Sequence, residues 1–127
     1  VSYPDQTPVR VLIADDSLEF GSALCAVVAA TPGFEVAGVE ASGDALDVVI
    51  SLVRPHLVLL EVHLGDSDGT RIARQLRRQH PDVVVVLLSA SAPMPGTDPS
   101  LAVEDKRSVS PRWLADLWQR RGRSRPT

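Results

Sequence analysis

Four short, largely apolar runs constrain the fold of this chain more than any other feature. They are Val9–Ala14 (VRVLIA), Phe34–Val39, Leu57–Val62 and Val83–Leu88. Runs of five to seven residues that are apolar throughout, rather than alternating, suit strands buried on both faces of a parallel sheet. The intervals between them carry helical spacing. Phe20, Leu24, Val27 and Val28 keep it in the first, and Leu46, Val49, Ile50 and Val53 in the second. Ile72 and Leu76 keep it in a more amphipathic third. Thr31-Pro32-Gly33, Arg54-Pro55 and His80-Pro81 each close a helix before the next strand, because the residue before proline avoids the α region. Ser110-Pro111 reads as an N-cap with proline at the first helical position, followed by the apolar stripe Trp113, Leu114, Leu117 and Trp118. Alternating strands and helices with short connections predict an open, doubly wound parallel α/β sheet.

With 127 residues, 44% of them hydrophobic, the chain is long enough for one domain that buries about two-thirds of its unfolded surface. Thirteen basic against sixteen acidic residues give a net charge of -3, which disfavours a nucleic-acid-binding domain. Four arginines (120, 121, 123 and 125) lie in the last nine residues, so the other 118 carry -7. The expected division is an N-terminal extension over 1–8, one domain over 9–121, and a basic tail or linker start over 122–127. Cys25 is the only cysteine, and no run approaches the ~20 apolar residues of a membrane span, so a cytoplasmic domain is expected. His56, His63 and His80 show no zinc-type spacing with Cys25, and there is no GxGxxG, P-loop or nucleophile elbow.

Function in such sheets sits at the carboxyl ends of the strands. There the sequence offers Asp15-Asp16 after the first strand, Glu61 and the loop His63–Gly69 after the third, Ser89 after the fourth, and Lys106 after a fifth strand expected near Leu101–Val103. Hard carboxylate oxygens suit Mg²⁺, and a hydroxyl with an ammonium suits phosphoryl oxygens. Lys106 is the only lysine beside twelve arginines, either retained as a compact point charge at a tight anionic site or there by chance in a surface loop.

VRVLIADDS, LVLLEVHLGDSDG, VVVVLLSAS and the lysine before SPRWL, in this order, resemble the receiver domain of bacterial response regulators over residues 9 to about 121. The resemblance implies a flavodoxin-like, five-stranded parallel sheet of order 2-1-3-4-5 with five helices. It implies phosphoryl transfer from a histidine kinase onto an aspartate, with Mg²⁺ held by the acidic pair. By this resemblance Asp15 and Asp16 match the acidic pair, with Asp16 the direct metal ligand. Glu61 stands at the phosphoacceptor position, and the backbone carbonyl of His63 is the third ligand. Ser89 and Lys106 are the phosphoryl contacts, and Asp68-Gly69 closes the loop.

Departures from that pattern set further expectations. Glu61 adds a methylene to the acceptor carboxylate, which predicts loss of ordinary phosphoacceptance. Its charge near Ser89 and Lys106 either imitates the phosphorylated state or simply pairs with Lys106. Pro93, Pro95, Gly96 and Pro99 within Ala90–Asp105 predict that the family's fourth helix is missing or reduced to a turn. Val103 stands where many receivers have an aromatic residue, and Gly65 where many have proline. Trp113, Leu117 and Trp118 are either an interaction surface uncovered by loss of the fourth helix or simply covered core.

The leading reading is an atypical receiver, not itself an enzyme, that acts by contact with a sensor kinase or a downstream regulator, with a homodimer left open. Two alternatives stand beside it. One is a Mg²⁺-dependent receiver still modified on Glu61, Asp66 or Asp68. The other is the N-terminal receiver of a transcriptional regulator whose DNA-binding domain lies beyond residue 127.

Overall fold

The computed structural model describes residues 7–92, 94 and 98–122. Five parallel strands form the main sheet: β1 (Val9–Ala14), β2 (Phe34–Glu40), β3 (Leu57–Glu61), β6 (Val84–Ser89) and β7 (Ala102–Asp105). A two-residue antiparallel pair, β4 (His63–Leu64) and β5 (Ser67–Asp68), interrupts them in the chain. The sheet order is β2-β1-β3-β6-β7, which is 2-1-3-4-5 once the small pair is set aside. This is the flavodoxin-like arrangement expected from the sequence. The fourth run ends one residue later than expected, on Ser89, which pairs with Asp105 in the ladder. The fifth strand likewise runs on to Asp105.

Side-chain alternation along the central strands splits the core into two layers. Leu12, Val58 and Leu60 pack with Leu46 and Ile50 of α2 (Leu46–Val53) and Ala73 and Leu76 of α3 (Gly69–Gln79). Val11, Ile13, Leu57 and Leu59 pack on the other face with Leu24 and Val28 of α1 (Leu18–Ala30) and Leu114 and Leu117 of α4 (Pro111–Arg121). Every β3 residue is buried, as an apolar run between two helical layers requires.

Local chemistry sets the helix ends. Ser17 Oγ accepts from Phe20 N at 3.1 Å, Asp68 Oδ1 from Thr70 N at 3.0 Å, and Ser110 Oγ from Trp113 N at 3.0 Å. α2 ends on Arg54, which turns left-handed at φ 50° directly before Pro55. It is the one non-glycine residue with positive φ among the described residues. Gly65 sits at φ 59° in the β4–β5 turn, a value closed to proline, whose ring holds φ near −65°.

Four α-helices occur among the described residues, and none of them lies between β6 and β7. Residues 90–92, 94 and 98–101 there form turns and irregular chain. Pro93, Pro95 and Gly96 lie outside the described residues, as do the first six residues and the arginine-rich end beyond Gly122.

Candidate functional site

The pocket is built where the strands end. Asp15 follows β1, Glu61 closes β3, Ser89 closes β6, and Lys106 opens a 3-10 turn (Lys106–Ser108) after β7. Asp15 is 4% exposed, Glu61 7% and Ser89 4%, so all three are withdrawn from water. Lys106 Nζ lies 2.5 Å from Glu61 Oε2 and 3.3 Å from Asp15 Oδ2. It also stands 4.2 Å from the centroid of the Phe20 ring, within cation–π range.

Each carboxylate has a second tie. Asp15 Oδ1 accepts from Ser17 N at 2.7 Å, and Glu61 Oε1 from His63 N at 3.3 Å. Asp15 Oδ2 and Glu61 Oε2 are buried oxygens with no hydrogen-bond partner, so the Lys106 ammonium is their compensation. Burial pulls the Lys106 ammonium towards its neutral form. Glu61, then Asp15, outweigh that, and its pKa lies above the ordinary lysine value. The ammonium therefore remains charged throughout the physiological range. Ser89 Oγ accepts from Ser91 N at 3.0 Å, which holds the hydroxyl on the β6 turn.

Beneath this cluster, Gly69 N donates to Val62 O at 2.7 Å and fixes the loop after β3. A Cβ on Gly69 would stand 2.5 Å from Glu61 O and 2.6 Å from Val62 O, so only glycine fits where α3 begins.

Asp16, named from the resemblance as the direct metal ligand, is exposed, lines one opening of the surface with Asp15, and takes no part in the Lys106 ion pairs. His63 is exposed, and its backbone N–H donates to Glu61 Oε1. Val103 is half-buried against the α2/α3 core layer. The expected surface on the last helix needs correction, since Leu117 is 0% exposed and packs beneath α4 with Leu114 against α1. Trp113 and Trp118 are half-buried on the same layer. α1 covers that stripe from within the domain, whatever lies between β6 and β7.

Sequence reasoning missed two residues. Phe20 was legible only as a core position of α1, with no sign that it underlies Lys106. Glu104 gathers Trp113 Nε1 at 3.3 Å, Arg121 Nη2 at 3.0 Å and Arg120 Nη1 at 3.5 Å, tying edge strand β7 to α4.

The side chains as arranged do not fit a resident Mg²⁺. Such an ion takes near-octahedral oxygen ligands at about 2.0–2.1 Å, whereas the oxygens that face each other across this pocket already share an ammonium. Among the described residues, no three His, Cys, Asp or Glu side chains are grouped to hold a metal. No helix among them is long and apolar enough to cross a membrane.

Fold and site together define a flavodoxin-like α/β domain with a charged pocket at the carboxyl edge of its sheet. The chain belongs to the response regulator receiver domain family, whose model matches residues 11–105. It is thus a receiver domain of two-component signalling, a family whose members typically bind Mg²⁺ at the phosphorylation site. A protein-glutamate methylesterase/protein-glutamine glutaminase from Anaeromyxobacter dehalogenans is 44% identical over 80 residues, 63% of this chain and 24% of that protein. A second from the same organism is 38% identical over 96 residues, 74% of this chain and 25% of that protein. The chain thus spans about a quarter of the length of these relatives. Among solved structures, the signal receiver domain of the response regulator NarL from Mycobacterium tuberculosis superposes with a TM-score of 0.76 at 22% identity, covering 91% of this chain and 99% of that one. The response regulator domain of Thermotoga maritima CheB gives 0.69 at 17% identity, covering 88% and 95%.

Proposed function

We propose that this chain is an atypical receiver whose output does not follow phosphorylation of an aspartate, because Glu61 stands at the acceptor position. The observation that carries this reading is the 2.5 Å contact between Lys106 Nζ and Oε2 of the buried Glu61. Phosphoryl transfer to a carboxylate requires an oxygen free to attack phosphorus in line, with cations left over for the phosphoryl oxygens. Here one Glu61 oxygen engages the ammonium and the other accepts from His63 N–H. The extra methylene carries the carboxylate into the space that an aspartyl phosphate would fill. A displacement of about 1 Å at a reacting atom lowers a rate by about 100-fold.

The domain then works by protein contact rather than as an independent catalyst, with a sensor kinase or downstream regulator as its partner. A second reading, favoured by the share of the relatives that the chain spans, is that it serves as the receiver of a longer regulator with its own output domain.

Intact-mass spectrometry after incubation with acetyl phosphate and Mg²⁺ tests the proposal. The native chain is expected to stay unmodified while Glu61→Asp gains one phosphoryl group. Modification of the native chain on Glu61, Asp66 or Asp68 would restore a working acceptor and overturn the reading. If neither chain is modified, Glu61 is not what closes the site, and that part of the proposal fails.

A further inference from the structure

Away from the acidic pocket, α3 carries Arg71, Arg74, Arg77 and Arg78 and no acidic residue in its eleven positions. The rest of the chain balances the other way: nine basic against sixteen acidic residues, or -7. Placement in the last turn suits Arg77 and Arg78 to the helix dipole. It does not account for Arg71 and Arg74. Arg74 and Arg78 stand four apart, where like charges repel. A helix face that served only solubility would gain by interleaving glutamates.

The three later arginines are exposed and share one side of the helix. Arg74, Arg77 and Arg78, with Asp98, line one open depression of the surface. Arg77 is held there by Nη1, which donates to Ser100 O at 2.7 Å and Ser100 Oγ at 3.0 Å. Ser100 N in turn donates to Asp98 Oδ1 at 2.9 Å. These bonds, then Arg74 and Arg77, hold the Asp98 carboxyl below its ordinary range, so it stays charged. Three guanidiniums and one carboxylate leave the depression at +2. Guanidinium forks match phosphoryl oxygens bidentately. The three oxygens and double charge of a phosphoryl group suit such a set better than the two oxygens and single charge of a carboxylate.

We propose that the surface depression lined by Arg74, Arg77 and Arg78 on α3 binds a dianionic phosphoryl group. Since α3 runs back from the Glu61 loop and Ser100 precedes β7, this site lies towards the opposite end of the sheet from Lys106. It is independent of the chemistry at Glu61. The group comes either as a free anion or carried on a partner's side chain.

Isothermal titration at ionic strength held constant with chloride tests this, using inorganic phosphate, pyrophosphate and a phosphoserine peptide. One saturable site per chain is expected. The exposed pair R74Q/R78Q should weaken it by at least about tenfold, equivalent to about 1.4 kcal/mol. R74K/R78K, which keeps charge but loses the forks, should weaken it several-fold, and R112Q on α4 should leave it unchanged. Tighter binding of the peptide than of phosphate identifies a protein-borne group, and equal or weaker binding a free anion. Absence of saturable heat with all three probes overturns the proposal. So does binding that survives R74Q/R78Q, which would put the anion elsewhere, for instance on Lys106.

Discussion

Lys106 Nζ rests 2.5 Å from Glu61 Oε2, and the same ammonium is the compensation for Asp15 Oδ2 at 3.3 Å. Glu61 and Asp15 come from the carboxyl ends of neighbouring strands, and Phe20 of α1 closes the cluster from the side. One cation thus spans two buried anions, and removing it leaves both uncompensated. Breaking a buried ion pair from one side costs about 3–5 kcal/mol. Lys106→Met is therefore expected to lower the urea-unfolding free energy by about that amount. The same variant should take up Mn²⁺, followed by water proton relaxation, where the native chain takes up little. Native Mn²⁺ binding as tight as the variant's would mean that the ammonium yields to a metal.

Gly69 and Gly21 make a matched pair of tests. A Cβ at Gly69 would press on the Glu61 and Val62 carbonyls, which are backbone atoms and cannot rotate away. Gly69→Ala should lose about 1–3 kcal/mol, the usual range for forced overpacking, and should disturb the Glu61 loop. Gly21 lies inside α1 with nothing within 4 Å of its added Cβ. Gly21→Ala should gain up to about 1 kcal/mol from helix propensity. Thermal unfolding of the two variants beside the native chain decides both.

The five-stranded sheet was legible because strands buried on both faces must be apolar at nearly every position, and Leu57–Leu60 are. The carboxyl ends of those strands pointed to Asp15, Glu61, Ser89 and Lys106, which do meet or line one pocket edge. Which of Asp15 and Asp16 pairs with Lys106 depends on where β1 stops, and adjacent identical residues carry no signal for that. The Phe20–Lys106 contact joins residues 86 positions apart, and the Glu104 ties to Arg120 and Arg121 join residues 16 and 17 apart. Such pairs are products of the fold. The burial of Leu117 was open to either reading in the sequence, since an apolar stripe on a helix looks the same covered or bare.

That burial gives a sharp contrast within one residue type. Leu117 is 0% exposed between α4 and α1, whereas Leu52 on α2 is 76% exposed. Leu117→Ala should cost about 2–5 kcal/mol as transfer and cavity terms add. Leu52→Ala should stay within about 0.5 kcal/mol. Similar losses from the two substitutions in chemical denaturation would contradict the α1–α4 packing.

Glu104 couples pH to the seating of α4. Burial pushes its carboxyl up, but Arg121 and then Arg120, with help from Trp113 Nε1, pull further the other way, so its pKa lies below the ordinary glutamate value. A carboxyl with a lower pKa in the folded than in the unfolded chain stabilises the fold above its unfolded pKa. That contribution fades as pH falls through the folded value. Stability should therefore drop as the pH is lowered past the ordinary glutamate range, with α4 loosening from β7. Glu104→Gln removes the charge at every pH, so the variant should be less stable than the native chain at pH 7, and the difference should shrink in acid. Urea midpoints at pH 7 and pH 3, with Trp fluorescence reporting on Trp113, measure it. A difference independent of pH would mean that Glu104 acts by packing alone.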